Sequence, residues 1–323
     1  CKYPSLRIPG RRLSKISCCM DTHLMTDFWD RITVVFIVHN SASVLPGALK
    51  SLERARRIII IDNASTDGSA CLAKRLNDRV EVIHNPNNTG VSMPSNMAFG
   101  KVSSELILHM NPDVQFDHAC VERLVHSIDS DPNAAVISPM IINANGDQEI
   151  DVMGAGEIEH QKIAVPPEGP FCTWYVCGSV WLWRTAALQE LDGFDSNIFL
   201  YNEDVDICIR ASRAGFSLIV DTEAIIHHGG GASERISYKT RWRKDWNLTW
   251  SHFYLKSKHR SLAEATDEAH RKRWEFARNA LWGLATFRPK TVVGQLARVS
   301  AINRFLRGEP SWLRTEWARP KPY

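Results

Sequence analysis

The sequence predicts an α/β protein, a mostly parallel sheet flanked by helices, with a basic helical appendage at its C-terminal end. Three observations carry this expectation. From residue 31 onward, β-branched apolar runs of strand length alternate with amphipathic stretches of helical period. Polar residues follow each early run, where an open parallel sheet keeps its ligand site. Charge divides the chain as well: residues 1–234 hold 19 Lys/Arg against 29 Asp/Glu, and residues 235–323 hold 20 against 7.

Residues 32–38 (ITVVFIV) form the first run, and residues 44–54 place Leu45, Leu49 and Leu52 at helical spacing. A second strand falls at 58–61, and Asp67 is suited to cap a helix reaching about residue 77. A third strand at 80–83 and a short helix at 92–100 come next. They precede a fourth strand at 106–110 and a helix from 117 to about 128. Such alternation reads as βαβ units. Beyond a strand at 134–138 the rhythm changes, because residues 141–165 contain Asn145-Gly146 and several glycines, which favour hairpins and loops. Residues 174–176 read as a further strand and 184–191 as a helix closed by Gly193. A helix begins at Asn202 and ends at Gly215, with a strand at 216–220. From about 235 the pattern is helical throughout. The expected division is a leader (1–30, disordered), an α/β domain (31–234) and a basic helical module (235–323).

Composition narrows the class. With 44% hydrophobic and 23% charged residues in 323, the chain is ordinary for a globular protein. No apolar run approaches the roughly 18–20 residues that span a bilayer. Arg11, Arg12 and Lys15 have no apolar block behind them, so residues 1–30 read as neither signal peptide nor anchor. The eight cysteines lack zinc or disulfide spacing and are expected to be buried free thiols of a reducing, cytoplasmic compartment. In the basic module, Trp242, Trp246 and Trp250 recur every four residues beside Arg241, Arg243 and Lys244. That stripe suits a helix lying on an anionic membrane surface, and equally one packed onto the α/β body. No zinc, helix-turn-helix or aromatic RNA-binding signature accompanies it, so no nucleic-acid partner is expected.

The polar residues after the early strands are His39-Asn40, Asp62-Asn63, His84-Asn85 and Asn111-Pro112-Asp113. Each alone is turn chemistry; four in register point to one shared site. Asp62 heads Asp-Asn-Ala-Ser-Thr-Asp-Gly-Ser, and its carboxylate can accept from a pyrimidine N–H or a ribose hydroxyl, while Gly68 permits close backbone approach. Asp113 at a strand end can hold Mg2+ or Mn2+, which prefer oxygen ligands and keep sites for phosphate. The sharpest signal is Phe199-Leu200-Tyr201-Asn202-Glu203-Asp204-Val205-Asp206, opening a helix. Three carboxylates within four positions exceed what the helix dipole asks for, and Asp204 is placed to act as a general base. In His227-His228-Gly229-Gly230-Gly231, a histidine can complete a metal's coordination, and the glycine N–H groups can cradle an anion.

Taken in order, these stretches resemble the inverting glycosyltransferase family 2, of GT-A fold, and most of all the bacterial rhamnosyltransferases of O-antigen and cell-wall polysaccharide assembly. Ile37-Val38-His39-Asn40, Ile61-Asp62-Asn63-Ala64-Ser65-Thr66-Asp67-Gly68-Ser69 and Asn88-Thr89-Gly90 with Asn96 match its first part. Met110-Asn111-Pro112-Asp113-Val114, Cys177-Gly178-Ser179, Gly193-Phe194-Asp195, Glu203-Asp204-Val205-Asp206 and His227-His228-Gly229-Gly230 match the rest, over about residues 31–260. The resemblance implies a Rossmann-like GT-A sheet and an inverting transfer, with L-rhamnose from dTDP-L-rhamnose as the expected donor and a lipid-linked saccharide hydroxyl as acceptor. It assigns the nucleotide-sugar to His39, Asn40, Asp62, Asn63, Asn88, Gly90, Asn96 and Asn111. The Mg2+ or Mn2+ goes to Asp113 with His227 or His228, the base role to Asp204, and acceptor positioning to Glu203. Asn111 stands where the family's D-x-D motif usually has its first Asp, and His39-Asn40 where Asn-Tyr-Asn is commoner. A UDP-hexose or UDP-N-acetylhexosamine donor stays open, as does a non-catalytic nucleotide-binding scaffold. Peripheral attachment to the inner face of the plasma membrane is the expected location.

Overall fold

The structure is a computed structural model and describes residues 27–142, 146, 148–149, 151–154, 157–162, 167–228 and 237–311. Of the expected leader, residues 1–26 lie outside this range, as do Gly229, Gly230 and Gly231. Residues 27–30 belong to the fold rather than to a disordered leader. Asp27 caps a single 3-10 turn at Phe28–Arg31, and the buried Trp29 donates from Nε1 to His118 Nδ1 at 3.0 Å.

Strands β1 (Ile32–Val38), β2 (Arg57–Asn63), β3 (Val80–Asn85) and β4 (Leu106–Met110) run parallel in the spatial order β3-β2-β1-β4. Helices α1 (Leu45–Lys50), α2 (Ser69–Leu76) and α3 (Ser92–Phe99) connect them. Two cores form on opposite faces of the sheet: Val34, Phe36, Ile58 and Ile60 point into one, and Val35, Ile59 and Ile61 into the other. Burial on both faces is why these strands read as continuous apolar runs without alternation.

The chain continues through β5 (Val114–Gln115), α4 (His118–Ser130), β6 (Ala134–Ile142), β7 (Gln148–Glu149), β8 (Asp151–Met153), β9 (His160–Lys162), β10 (Pro170–Thr173) and β11 (Val180–Arg184). Then come α5 (Thr185–Glu190), α6 (Glu203–Arg213) and β12 (Ser217–His228), followed by the helices α7 (Tyr238–His259), α8 (Leu262–Ala285) and α9 (Pro289–Leu306). The sheet extends from β4 in the order β11-β6-β12-β10, with β11 antiparallel to both neighbours and β12 parallel to β6. Short β5 adds to β12 and β7 to β6, both antiparallel, while β8 and β9 pair apart from the main sheet.

Four local expectations need correction. The strand expected at 174–176 is not formed; the ladder residues are Pro170–Thr173 and Val180–Arg184. Between them the backbone leaves the sheet, and Tyr175 turns into the core. Asp67 does not cap α2: Gly68 occupies that position at φ 83°, and Asp67 accepts instead from the N–H groups of Ser69 and Ala42, at 3.0 and 2.8 Å. The strand expected at 216–220 runs on to His228 through an irregularity between Asp221 and Ile225. Among the described cysteines, all free, Cys120 and Cys208 are buried as expected, but Cys71 and Cys172 are exposed.

The tryptophan stripe faces inward. Trp246 and Trp250 are 2% and 3% exposed and pack on Ala297 and Ala301 of α9, with Trp242 partly buried beside them. The two indole N–H groups donate to Ser300 Oγ and to the Glu309 carbonyl, each at 3.2 Å. Of the two expectations for this stripe, a membrane face or a packed helix, the described packing is helix on helix, against α9, where each buried aromatic contributes roughly 3 kcal/mol of transfer free energy. α7 is also fixed to the α/β body. Leu255 enters the second core, Tyr254 Oη donates to Asp195 at 2.8 Å, and Lys258 Nζ reaches Asp195 and Asp206 at 2.7 and 2.6 Å.

Candidate active site

The parallel half of the sheet gathers the polar residues at its carboxyl edge. Register aligns Val38, Asp62 and His84 in one row, and Phe36 with Met110, so His39, Asn63, Asn85 and Asn111 emerge along one rim. Asp62 is only 6% exposed and accepts from the Ser65 N–H at 3.1 Å and from His84 Nδ1 at 3.0 Å. His39 donates from Nδ1 to the Asn63 carbonyl at 2.9 Å, which in the neutral ring leaves Nε2 as the acceptor. Asn40, at φ 54°, accepts from the Thr66 N–H at 2.8 Å and so pins the loop that Asp62 heads.

Four residues expected to bind the nucleotide-sugar direct their described hydrogen bonds inward. Asn63 Oδ1 accepts from Asn85 Nδ2 and the Thr89 N–H, and its Nδ2 donates to Asn88 Oδ1 and the Gly90 carbonyl. Asn88 Oδ1 also takes the Gly90 N–H. Gly90 sits at φ 84°, where an added Cβ would come within 1.8 Å of the Phe199 carbonyl oxygen. Asn96 accepts from the Phe194 N–H at 2.8 Å and donates to the Phe194 carbonyl at 2.8 Å. Their polar groups hold loops together at the rim of the sheet.

The Gly90 contact matters because it joins the two halves of the site. The Val91 N–H donates to the Phe199 carbonyl at 2.8 Å, fixing the segment that leads into α6. There Tyr201 and Asn202 are both at φ 66°, and two consecutive left-handed residues turn the chain so that Glu203 and Asp204 open the helix. Asp204 Oδ2 accepts from Tyr175 Oη at 2.6 Å, and Oδ1 accepts from the Val205 N–H at 2.9 Å. On the other side of the Cys177-Gly178-Ser179 turn, the Asn111 N–H donates to the Ser179 carbonyl at 2.9 Å. A Cβ on Gly178 would lie 3.4 Å from Asp204 Cβ and 3.1 Å from Trp181. One glycine-containing turn thus separates the Asn111-Pro112-Asp113 strand end from the Glu203-Asp204 helix start.

Protonation divides the two adjacent carboxyls. Glu203 Oε2 is sealed from solvent with no hydrogen-bond partner among the described residues, although the residue as a whole is only half-buried. Desolvation, reinforced by the neighbouring Asp204 charge, pushes the Glu203 carboxyl up to about 8. Burial and the same Asp204 charge raise the Tyr175 hydroxyl well above its ordinary value, so it stays a donor. The nearby Asp206 has a different use. Burial alone would push its carboxyl up, but the His259 hydrogen bond and the Arg210 and Lys258 charges outweigh that and hold it well below the carboxylate range. It is a buried anchor between α6 and α7.

Asp113 is half-buried just before β5, whose antiparallel pairing places Gln115 opposite His227 and Val114 opposite His228. The pairing brings Asp113 and the exposed His227 to the same end of the sheet. Among the described residues no three His, Cys, Asp or Glu side chains cluster as a cation cage. A carboxylate with an imidazole nearby fits a Mg2+ or Mn2+ that keeps most of its positions for water and phosphate oxygens. Sequence reasoning overlooked Tyr175, which it placed in a strand, and the His259–Lys258 anchor; the aromatic pair before Cys177-Gly178-Ser179 was the available signal.

Residues 33–191 match the model of glycosyl transferase family 2, a stretch that ends before Glu203. The pre-mycofactocin glycosyltransferase of Mycobacterium tuberculosis is 27% identical over 207 residues, 61% of this chain and 42% of that protein. The chain thus spans less than half the length of this relative. The N-acetylglucosaminyl-diphospho-decaprenol L-rhamnosyltransferase of the same species is 24% identical over 241 residues, 64% of this chain and 78% of that one. Among solved structures, the mannosyltransferase PcManGT of Pyrobaculum calidifontis, in complex with GDP-Man and Mn2+, superposes with a TM-score of 0.55 at 15% identity. The overlap covers 85% of this chain and 87% of that one. The strand order and the superposition agree on a GT-A fold, and residues 33–191 form a glycosyl transferase family 2 domain.

Proposed function

We propose that this chain is an inverting glycosyltransferase that moves a sugar, L-rhamnose from dTDP-L-rhamnose in the first instance, to a hydroxyl of a lipid-linked saccharide. The observation that supports it most is the Tyr175–Asp204 corner, set across a single turn from the Asn111-Pro112-Asp113 strand end. The donor and acceptor class rest on the rhamnosyltransferase relative, whose name specifies a diphospho-decaprenol acceptor.

In this reading residues 31–234 are the catalytic unit and residues 235–323 a basic module that backs it. Asp62, His39 and Asn111 face the nucleotide, and Asp113 with His227 or His228 holds the cation against the diphosphate. A bound Mg2+ or Mn2+ supplies positive charge for the departing diphosphate. Asp204 takes the proton of the acceptor hydroxyl as that oxygen bonds to the anomeric carbon. The carbon–oxygen bond to the diphosphate breaks on the opposite face, and configuration inverts. Tyr175 holds Asp204 in position from Oδ2, and Glu203, uncharged, leaves Asp204 as the only anion of the pair. An intact base is more than a non-catalytic scaffold needs. Peripheral attachment to the cytoplasmic face of the membrane belongs to the same reading, and no helix among the described residues is long and apolar enough to cross a bilayer.

Replacing Asp204 with Asn tests it. Nucleotide-sugar affinity by calorimetry stays within about twofold, while turnover falls by about 10^2–10^4, the usual contribution of a general base. Turnover within about threefold of wild type removes Asp204 from the role.

A further inference from the structure

At the turn from α8 to α9, the helical module carries large apolar side chains that stay mostly exposed. The helical period explains the division of faces. Ala265, Ala269, Ala280 and Gly283 lie on the inner face of α8 and are buried. Trp274, Arg278, Leu281 and Trp282 lie on the opposite face, and the apolar three are exposed. α8 and α9 approach closely at Gly283, where a Cβ would come within 3.1 Å of Val292. That contact seals one side and leaves the other facing out.

The turn itself is unusual. Phe287 is 92% exposed and adopts φ 52° at the position after the helix where glycine is favoured. The Arg288 N–H closes the turn on the Gly283 carbonyl at 2.8 Å. A left-handed backbone strains an aromatic residue, and the Phe287 ring is almost wholly exposed.

The surroundings are cationic. Residues 269–292 hold six Lys/Arg and one acid, Glu275, which Lys272 pairs at 3.0 Å. Arg288 lies 4.9 Å over the Trp282 ring, and Arg241 and Lys290 with Ser237 and Tyr238 line a cleft of about 300 Å3 at the same end of the module.

We propose that the α8–α9 tip is a docking surface for an anionic lipid bilayer. Trp282, Leu284 and Phe287 enter the boundary between headgroups and acyl chains, and Arg278, Arg288 and Lys290 take lipid phosphates. Charge complementarity selects this occupant. A second copy would set two cationic surfaces against each other, whereas an anionic leaflet matches both the charge and the apolar wedge. The inference deepens the expected membrane attachment and moves it from Trp246 and Trp250, which are buried, to this tip. It is independent of the sugar-transfer chemistry.

The test is flotation of the full chain with vesicles of phosphatidylcholine alone and of phosphatidylcholine with phosphatidylglycerol, at low and high salt. Wild type is expected to float only with the anionic vesicles and to be released by salt. The double variant Trp282→Ser, Phe287→Ser is expected to partition at least about tenfold less, with unchanged circular dichroism and nucleotide binding. Wild type that stays in solution, or a double variant that floats as well as wild type, overturns the proposal. Self-association in the ultracentrifuge that the double variant abolishes, without vesicle binding, assigns the tip to a second copy. Loss of nucleotide binding with intact flotation counts against the transferase reading and leaves this one standing.

Discussion

The proposed chemistry depends on a few atoms around Asp204. Its carboxylate is oriented by one phenol and one backbone N–H, and the phenol comes from Tyr175, buried within the core. A hydrogen bond to a charged group is worth about 1.5–3 kcal/mol. Tyr175→Phe is therefore expected to lower kcat by roughly 10–100-fold, with donor affinity kept. A kcat within about threefold of wild type would reduce Tyr175 to a packing residue. Glu203 gives a second test. Its folded carboxyl keeps the proton to about 8 against an ordinary value of 4.5, so between those values the folded state binds more protons and stability falls as pH rises. Glu203→Gln removes this dependence, so its stability relative to wild type is expected to rise from about pH 4.5 to 8 and then level off. A flat difference contradicts the burial argument. At this scale the sequence marked Asp62, Asp113 and Asp204 as candidates because each stands in a recognisable polar run. It was silent on Tyr175, because an aromatic among apolar neighbours looks the same whether it packs or holds a carboxylate.

Elements position those atoms through contacts between distant segments. The loop after β3 meets the segment before α6 at Gly90 and Phe199, and α6 is tied to α7 by Asp206 with Lys258 and His259, Arg210 of α6 joining the same cluster. Removing one partner of a buried ion cluster typically costs about 3–5 kcal/mol. Asp206→Ala is expected to destabilise by that amount in urea melts and to loosen the attachment of α7; a loss below about 1 kcal/mol would show that the cluster is dispensable. The early βαβ units were legible because strand and helix periods alternate cleanly there. β11 was not: Val180–Arg184 is buried on both faces between two antiparallel neighbours, so it shows no alternation. The adjoining Arg184 also reads as the start of α5. β12 ran past its expected end because pairing with β5 and β6, which no local pattern encodes, holds His227 and His228 in the ladder.

Across the whole molecule, an acidic α/β body carries a basic helical module docked on the back of α6. Charge asymmetry announced the module, but not which face of it is free. A tryptophan stripe has the same spacing whether it meets lipid or another helix, and here α9 covers it. The proposed transfer requires an activated sugar to bind between Asp113 and Asp204. Thermal unfolding of wild type and Asp113→Asn, with nucleotide sugars in the presence and absence of Mn2+, measures this directly. Binding at about 100 times Kd stabilises by roughly 2.7 kcal/mol. A dTDP- or UDP-sugar together with Mn2+ is expected to raise the wild-type Tm by several degrees, more than either alone, with most of that gain lost in Asp113→Asn. No metal-dependent shift with any nucleotide sugar, or an equal shift in both proteins, would contradict it.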